Sequence, residues 1–168
     1  MNEDILPFQI VLDLLLDESK DIPHRFLAEF SDIEPDSLKS LLETWPRIKP
    51  DRKLLLLDKL NALADEDTLV SFDDLGRAML TDSEAQVRIQ AMRLLIECED
   101  TRLVPTYIDM LTKDSDVAVR AEAASTLGIF VQLGEFEDIP EDVHHQIEDV
   151  LLEVLNGEDD PIVRGDSK

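Results

Sequence analysis

A single cysteine in 168 residues, Cys98, excludes an internal disulfide or a thiolate cluster. Glycine occurs five times, and the chain holds no phosphate-cradling Gly-rich loop, no Gly-x-Ser-x-Gly elbow and no His-Glu-x-x-His. Basic residues are scarce: 16 against 39 acidic ones, a formal charge of −23 that repels nucleic acid and anionic membrane surfaces. Beyond Ala85 the imbalance is seven to nineteen, which excludes a basic nucleic-acid groove. No apolar run exceeds four residues, as in Leu54-Leu55-Leu56-Leu57, far short of a membrane span. Met1-Asn2-Glu3-Asp4 is acidic and lacks the basic-then-apolar order of a signal peptide, so a soluble, cytoplasmic protein is expected.

What is present is helical. Apolar residues make up 43% of the chain, enough for a core, and Leu, Ala, Asp and Glu dominate. Leu38, Leu41, Leu42 and Trp45 fall at i, i+3, i+4, i+7, and Leu56, Leu57, Leu60, Leu63 and Ala64 form another stripe. Val143, Ile147, Val150, Leu151 and Val154 form a third. Pro23, Pro35, Pro50, Pro140 and Pro161 each stand just before or at the start of such a pattern, where a missing N–H costs least. The spacing predicts helices over 7–17, 23–30, 35–45, 50–64, 71–80, 84–97, 102–113, 116–133 and 140–156, joined by short acidic turns.

The turns repeat. Asp82-Ser83-Glu84-Ala85-Gln86-Val87-Arg88 recurs as Asp114-Ser115-Asp116-Val117-Ala118-Val119-Arg120, and more loosely as Glu158-Asp159-Asp160-Pro161-Ile162-Val163-Arg164. The arginines lie 32 and 44 residues apart, the longer gap matching an acidic insertion at 134–142. The register persists beyond each arginine, with Ala91 matching Ala123, Leu95 matching Leu127 and Cys98 matching Phe130.

These units, and Arg120-Ala121-Glu122-Ala123-Ala124-Ser125-Thr126-Leu127-Gly128 most clearly, resemble HEAT repeats of the bacterial phycobilin-lyase-like type. The resemblance implies an all-α fold, a right-handed α-α superhelix of antiparallel helix pairs, with the second helices 102–113 and 140–156 on its concave side. One solenoid domain over 1–168 is expected, with divergent helices in 1–34, a diverged repeat in 35–80, two clear repeats in 81–156 and an incomplete repeat or tail in 157–168. Pro50-Asp51-Arg52 stands weakly where the diverged repeat's turn motif belongs. The resemblance also implies an arginine ladder built from Asp82, Arg88, Asp114, Asp116, Arg120, Asp160 and Arg164. In it Arg120 meets Asp82 or Glu84, and Arg164 meets Asp114 or Asp116.

Other reactive residues read as structural. Cys98 continues the Val87, Ala91, Leu94, Leu95 stripe and is expected in the core, its thiol blunted by Glu97 and Glu99. Trp45 completes an apolar face, and an exposed hot spot is the sharper alternative. His144 and His145 project about 100° apart on one helix, with no second ligand at i+4 that would complete a zinc pattern. His24, at a helix start, is expected to be solvated. The acidic loop 135–142 lacks the spacing of a calcium site. No catalytic residue, metal or cofactor is implied.

The function expected is a non-catalytic protein-binding scaffold with an acidic surface. The alternative is an accessory subunit or enzyme of the bilin-lyase-like class, against which stand the few aromatic and histidine side chains available to line a chromophore pocket. The expected partner is a protein, a basic one by charge, and neither nucleic acid nor membrane. The candidate binding residues are Asp109, Glu148, Leu152 and Leu155. The last two widen the apolar face of helix 140–156, so weak self-association through that helix is also expected. Far-ultraviolet circular dichroism should show a predominantly helical protein, and an appreciable strand signal would overturn this reading.

Overall fold

The computed structural model describes residues 7–157 and 160–165. The acidic start at 1–4, and Glu158 and Asp159 of the third turn motif, lie outside the described residues. All regular structure among the described residues is helical, and the helices fall into two compact units, one ending at Leu95 and one starting at Ile96. The all-α class expected from the spacing is the class found.

The first unit contains α1 (Phe8–Leu16), α2 (His24–Leu27), α3 (Pro35–Thr44), α4 (Pro50–Glu66), α5 (Asp73–Met79) and α6 (Ala85–Leu94). One 3-10 turn, Ala28–Phe30, continues α2, and another, Trp45–Arg47, continues α3. Pro35 and Pro50 open their helices, as their fixed φ favours. α1 packs on α3 and α4, α2 on α4, and α6 receives both α4 and α5. The core of this unit holds Leu12, Leu15, Phe30, Leu41, Leu56, Leu57, Leu60, Leu75 and Val87. Leu42, expected in the stripe of α3, is exposed instead, and Leu41, Thr44 and Trp45 occupy the buried side. Between α4 and α6, the Asn61 amide donates to the Gln90 side chain at 2.9 Å and to its carbonyl at 3.3 Å.

α1 has no basic residue in its last turn, so its terminal carbonyls need a donor from elsewhere. Arg52, at the start of α4, supplies it. Its Nη2 donates to the Leu14 carbonyl at 2.7 Å, its Nη1 to that of Lys20 at 2.6 Å, and its Nε to that of Leu15 at 3.3 Å. The guanidinium is buried and also complements the negative end of the α1 dipole. The weak turn motif at Pro50-Asp51-Arg52 therefore marks a clamp.

The second unit contains a 3-10 turn (Thr101–Leu103), α7 (Val104–Lys113), α8 (Val117–Glu135), α9 (Glu141–Gly157) and the short α10 (Pro161–Arg164). α8 is central: α7, α9 and α10 all pack against it. Its buried side, Val119, Ala123, Leu127 and Phe130, meets Tyr107 of α7, the two rings lying 6.1 Å apart. Gly134 lets α9 approach, since a Cβ there would collide with the His144 ring. The acidic insertion is ordered by a Schellman cap: the Asp138 N–H donates to the Leu133 carbonyl at 2.8 Å and the Glu137 N–H to that of Gly134 at 3.1 Å. Glu137 takes the left-handed φ of 61° that this cap requires, and Ile139 behind it is buried.

α6 is shorter than the predicted 84–97 and ends at Leu94, whereas α8, in the same register, continues to Glu135. The difference follows charge. Extending α6 would set Glu97 and Glu99 against the negative end of its dipole, while Ala123 to Gly134 of α8 carries no charge. Cys98 consequently lies half-buried in the turn after α6, not in the core stripe.

Replacing Arg52 by Ala should cost about 2–4 kcal/mol, because buried carbonyls lose a charged donor. Replacing Arg102, whose side chain is largely exposed beside Asp100, should leave the midpoint nearly unchanged. Urea unfolding followed by circular dichroism checks both, and equal midpoints would show that Arg52 is not a clamp.

Candidate functional site

The repeated turn motif folds the same way in its two described copies. The Asp82 carboxylate accepts from the Glu84 N–H at 2.9 Å, and that of Asp114 from the Asp116 N–H at 2.9 Å, each closing a turn of the kind aspartate favours. Arg88 Nη1 then reaches back to the Asp82 carbonyl at 2.8 Å, and Arg120 Nη1 to that of Asp114 at 3.0 Å. The signature thus encodes a clasp of each turn by the arginine six residues on. Asp116 caps α8 through the N–H groups of Ala118 (2.8 Å) and Val119 (3.2 Å). Asp160 caps α10 through that of Ile162 at 2.9 Å, and Arg164 is half-buried on the same helix.

Asp82 does more than close its turn. Its Oδ2 accepts a 2.5 Å hydrogen bond from the indole N–H of Trp45 and lies 3.9 Å from Lys53 Nζ. That ammonium also sits 5.2 Å from the centre of the Trp45 ring. Only 6% of the Asp82 side chain is exposed, so the carboxylate survives burial through these donors. Trp45 is a buried anchor, not an exposed hot spot. Nothing near either residue points to this partnership, since they lie 37 positions apart. The only available signal was a polar ring atom on a buried stripe, which demands an acceptor.

The candidate binding residues all lie in the second unit. Asp109, on α7, is exposed and pairs with Lys113 at 3.1 Å. Glu148, on α9, pairs with His144 Nε2 at 2.6 Å. Leu152 and Leu155 are exposed on α9, 56% and 47% respectively. His145 contacts Glu141 at 3.4 Å, and the two histidine rings lie edge to face, 6.0 Å apart. Among the described residues no three of His, Cys, Asp and Glu converge to hold a metal ion. His24 is exposed. No helix among the described residues is long and apolar enough to cross a membrane.

Two electrostatic details concern exposed turns. Hydrogen bonds from the Ser19 hydroxyl (2.6 Å) and N–H (3.0 Å) hold the Asp17 carboxyl below its usual range. The Asp100 carboxylate, chelating the Arg102 fork, raises the pKa of that already basic guanidinium.

Comparison with known families finds that the sequence model of HEAT repeats matches residues 72–167, more than half of the chain. The match opens at Phe72, ahead of the first turn motif, and so takes in α5. It identifies the repeat class and leaves the phycobilin-lyase-like type undistinguished. Neither curated proteins nor solved structures provide a match.

If Arg120 serves its turn, Arg120→Ala should destabilise the protein by about 1–3 kcal/mol. Lys113→Ala, which breaks only an exposed i, i+4 pair, should cost within about 0.5 kcal/mol. Thermal melting distinguishes the two, and identical melting would return Arg120 to the pool of surface cations available to a ligand.

Proposed function

Because the chain belongs to the HEAT-repeat family, we propose that it is a non-catalytic scaffold that holds a protein partner through an acidic helical surface. The observation that carries this reading is the division of labour among charges. Arg52, Arg88 and Arg120 spend their donors on backbone carbonyls of the fold. The carboxylates of α9, namely Glu141, Asp142, Glu148, Asp149 and Glu153, are exposed, and that helix contains no lysine or arginine. A negative surface of this kind steers a basic partner and rejects nucleic acid. The Val-Arg turns and the Leu127-Gly128 pair support the phycobilin-lyase-like type of repeat, while the protein-holding role needs only the repeat architecture.

Non-catalytic action is supported by how the reactive side chains are occupied. Asp82 is committed to Trp45, and the His144 ring lies against the close approach at Gly134. Cys98 is half-buried in the turn after α6.

The test is kinetic. With a partner recovered from the host and purified, association should slow as ionic strength rises from about 0.02 to 0.5 M, while the Debye length falls from roughly 20 to 4 Å. Asp109→Lys and Glu148→Lys should each lower the on-rate several-fold. An on-rate indifferent to salt and to both reversals would show that the acidic surface does not guide binding.

A further inference from the structure

We propose that the groove between α8, α9 and α10 seats an amphipathic helix of the partner, one whose apolar stripe is flanked by lysine or arginine. The proposal rests on the protein-binding reading above and adds the place and the chemistry of contact.

The groove is a depression of about 360 Å³ within the second unit. Leu152 and Leu155 of α9 and Ile162 of α10, the last 66% exposed, converge on it. Three large apolar side chains around one depression form a patch, whereas Leu69 and Phe136 stand exposed singly in turns. Ala121, Ala124 and Ser125 of α8 also line it. Such short side chains let another backbone come near, and helices pack at 8–10 Å when contact residues are small. An incoming helix presents apolar residues at i, i+3, i+4 and i+7, which suits a groove walled by helices and lacking any strand edge to extend.

Charge selects the occupant. Glu148 and Asp149 stand one helical turn before Leu152, and Glu153 follows it, so carboxylates border the leucines along α9. Among the described residues, the single cation lining the groove is the half-buried Arg164. A second copy of this chain would bring like-charged α9 helices together, each on a molecule of charge −23. An acidic or neutral helix would leave the bordering carboxylates without a counter-charge. A helix with basic flanks satisfies the apolar floor and the acidic border together.

The experiment titrates the full chain, methyl-labelled for NMR, with a synthetic helix-forming peptide of about 18 residues, leucines at i, i+3, i+4, i+7 and lysines on both flanks. A twin peptide carries glutamate in place of lysine. The expected result is saturable binding that shifts the Ala124, Leu152, Leu155 and Ile162 methyls, with the lysine peptide about tenfold or more the tighter. Leu152→Glu should weaken it about tenfold although it adds negative charge, and Ala124→Met, which fills the floor and leaves the charge unchanged, should do the same. Affinity that rises or holds in Leu152→Glu would mean plain electrostatic adsorption and overturn the proposal, as would shifts confined to other helices or no binding at all. Sedimentation showing a dimer of the native chain that Leu152→Glu dissociates would assign the groove to a second copy and also overturn it. A partner whose on-rate follows salt while the peptide maps elsewhere would reject the groove and leave the charge-guided scaffold standing. A peptide seated in the groove beside a salt-indifferent partner would do the reverse.

Discussion

The last turn of every helix carries carbonyl oxygens with no partner inside the helix, and a protein built from short helices meets that cost repeatedly. At the end of α1 arginine meets it. Arg52 gathers the end of α1 and the turn beyond it, and Arg88 and Arg120 each close the turn before their own helix. A guanidinium fits because its planar fork serves several oxygens at once and its charge never titrates away. The consequence is compositional. A chain with 16 cations that lends several of them to its own backbone has few left to balance 39 acidic residues.

Those carboxylates are not all spare. Aspartates at positions 17, 67, 82, 100 and 114 accept from the N–H two residues on, so part of the acidic content is turn chemistry. Asp116 and Asp160 add helix caps. The carboxylates not used in turns or caps include the exposed ones on the face of α9. Acidic turns answer a local demand, and the acidic face of α9 is the surface proposed for a partner.

Much of the fold was legible because most of the longer helices announce themselves with a stripe at period 3.6 and a proline or aspartate near the start. The repeat motif was equally legible, since two copies agree in residue type and in geometry. Long-range polar pairing was not. Nothing adjacent to Trp45 names Asp82 as its acceptor, and nothing near Leu14 names Arg52 as its donor. Helix length depended on charge as well as periodicity: α6 and α8 share a register, yet Glu97 and Glu99 end one where the uncharged stretch of the other continues. Cys98 was misplaced for that reason. Of the candidate binding residues, Leu152 and Leu155 were visible as excess apolar width on α9, whereas the small-residue floor supplied by α8 required the packed structure.

The distribution of aromatic chromophores gives this molecule a built-in optical label. Its one tryptophan, Trp45, is buried in the first unit against a carboxylate and an ammonium, and its one tyrosine, Tyr107, is buried in the second. Indole emission selected by long-wavelength excitation reports the first unit alone, since only tryptophan absorbs there. Phenol absorbance near the short-wavelength edge adds the second. Opening of either unit can then be timed separately in the unlabelled protein, and cooperative loss of both can be told from sequential loss without introducing a probe.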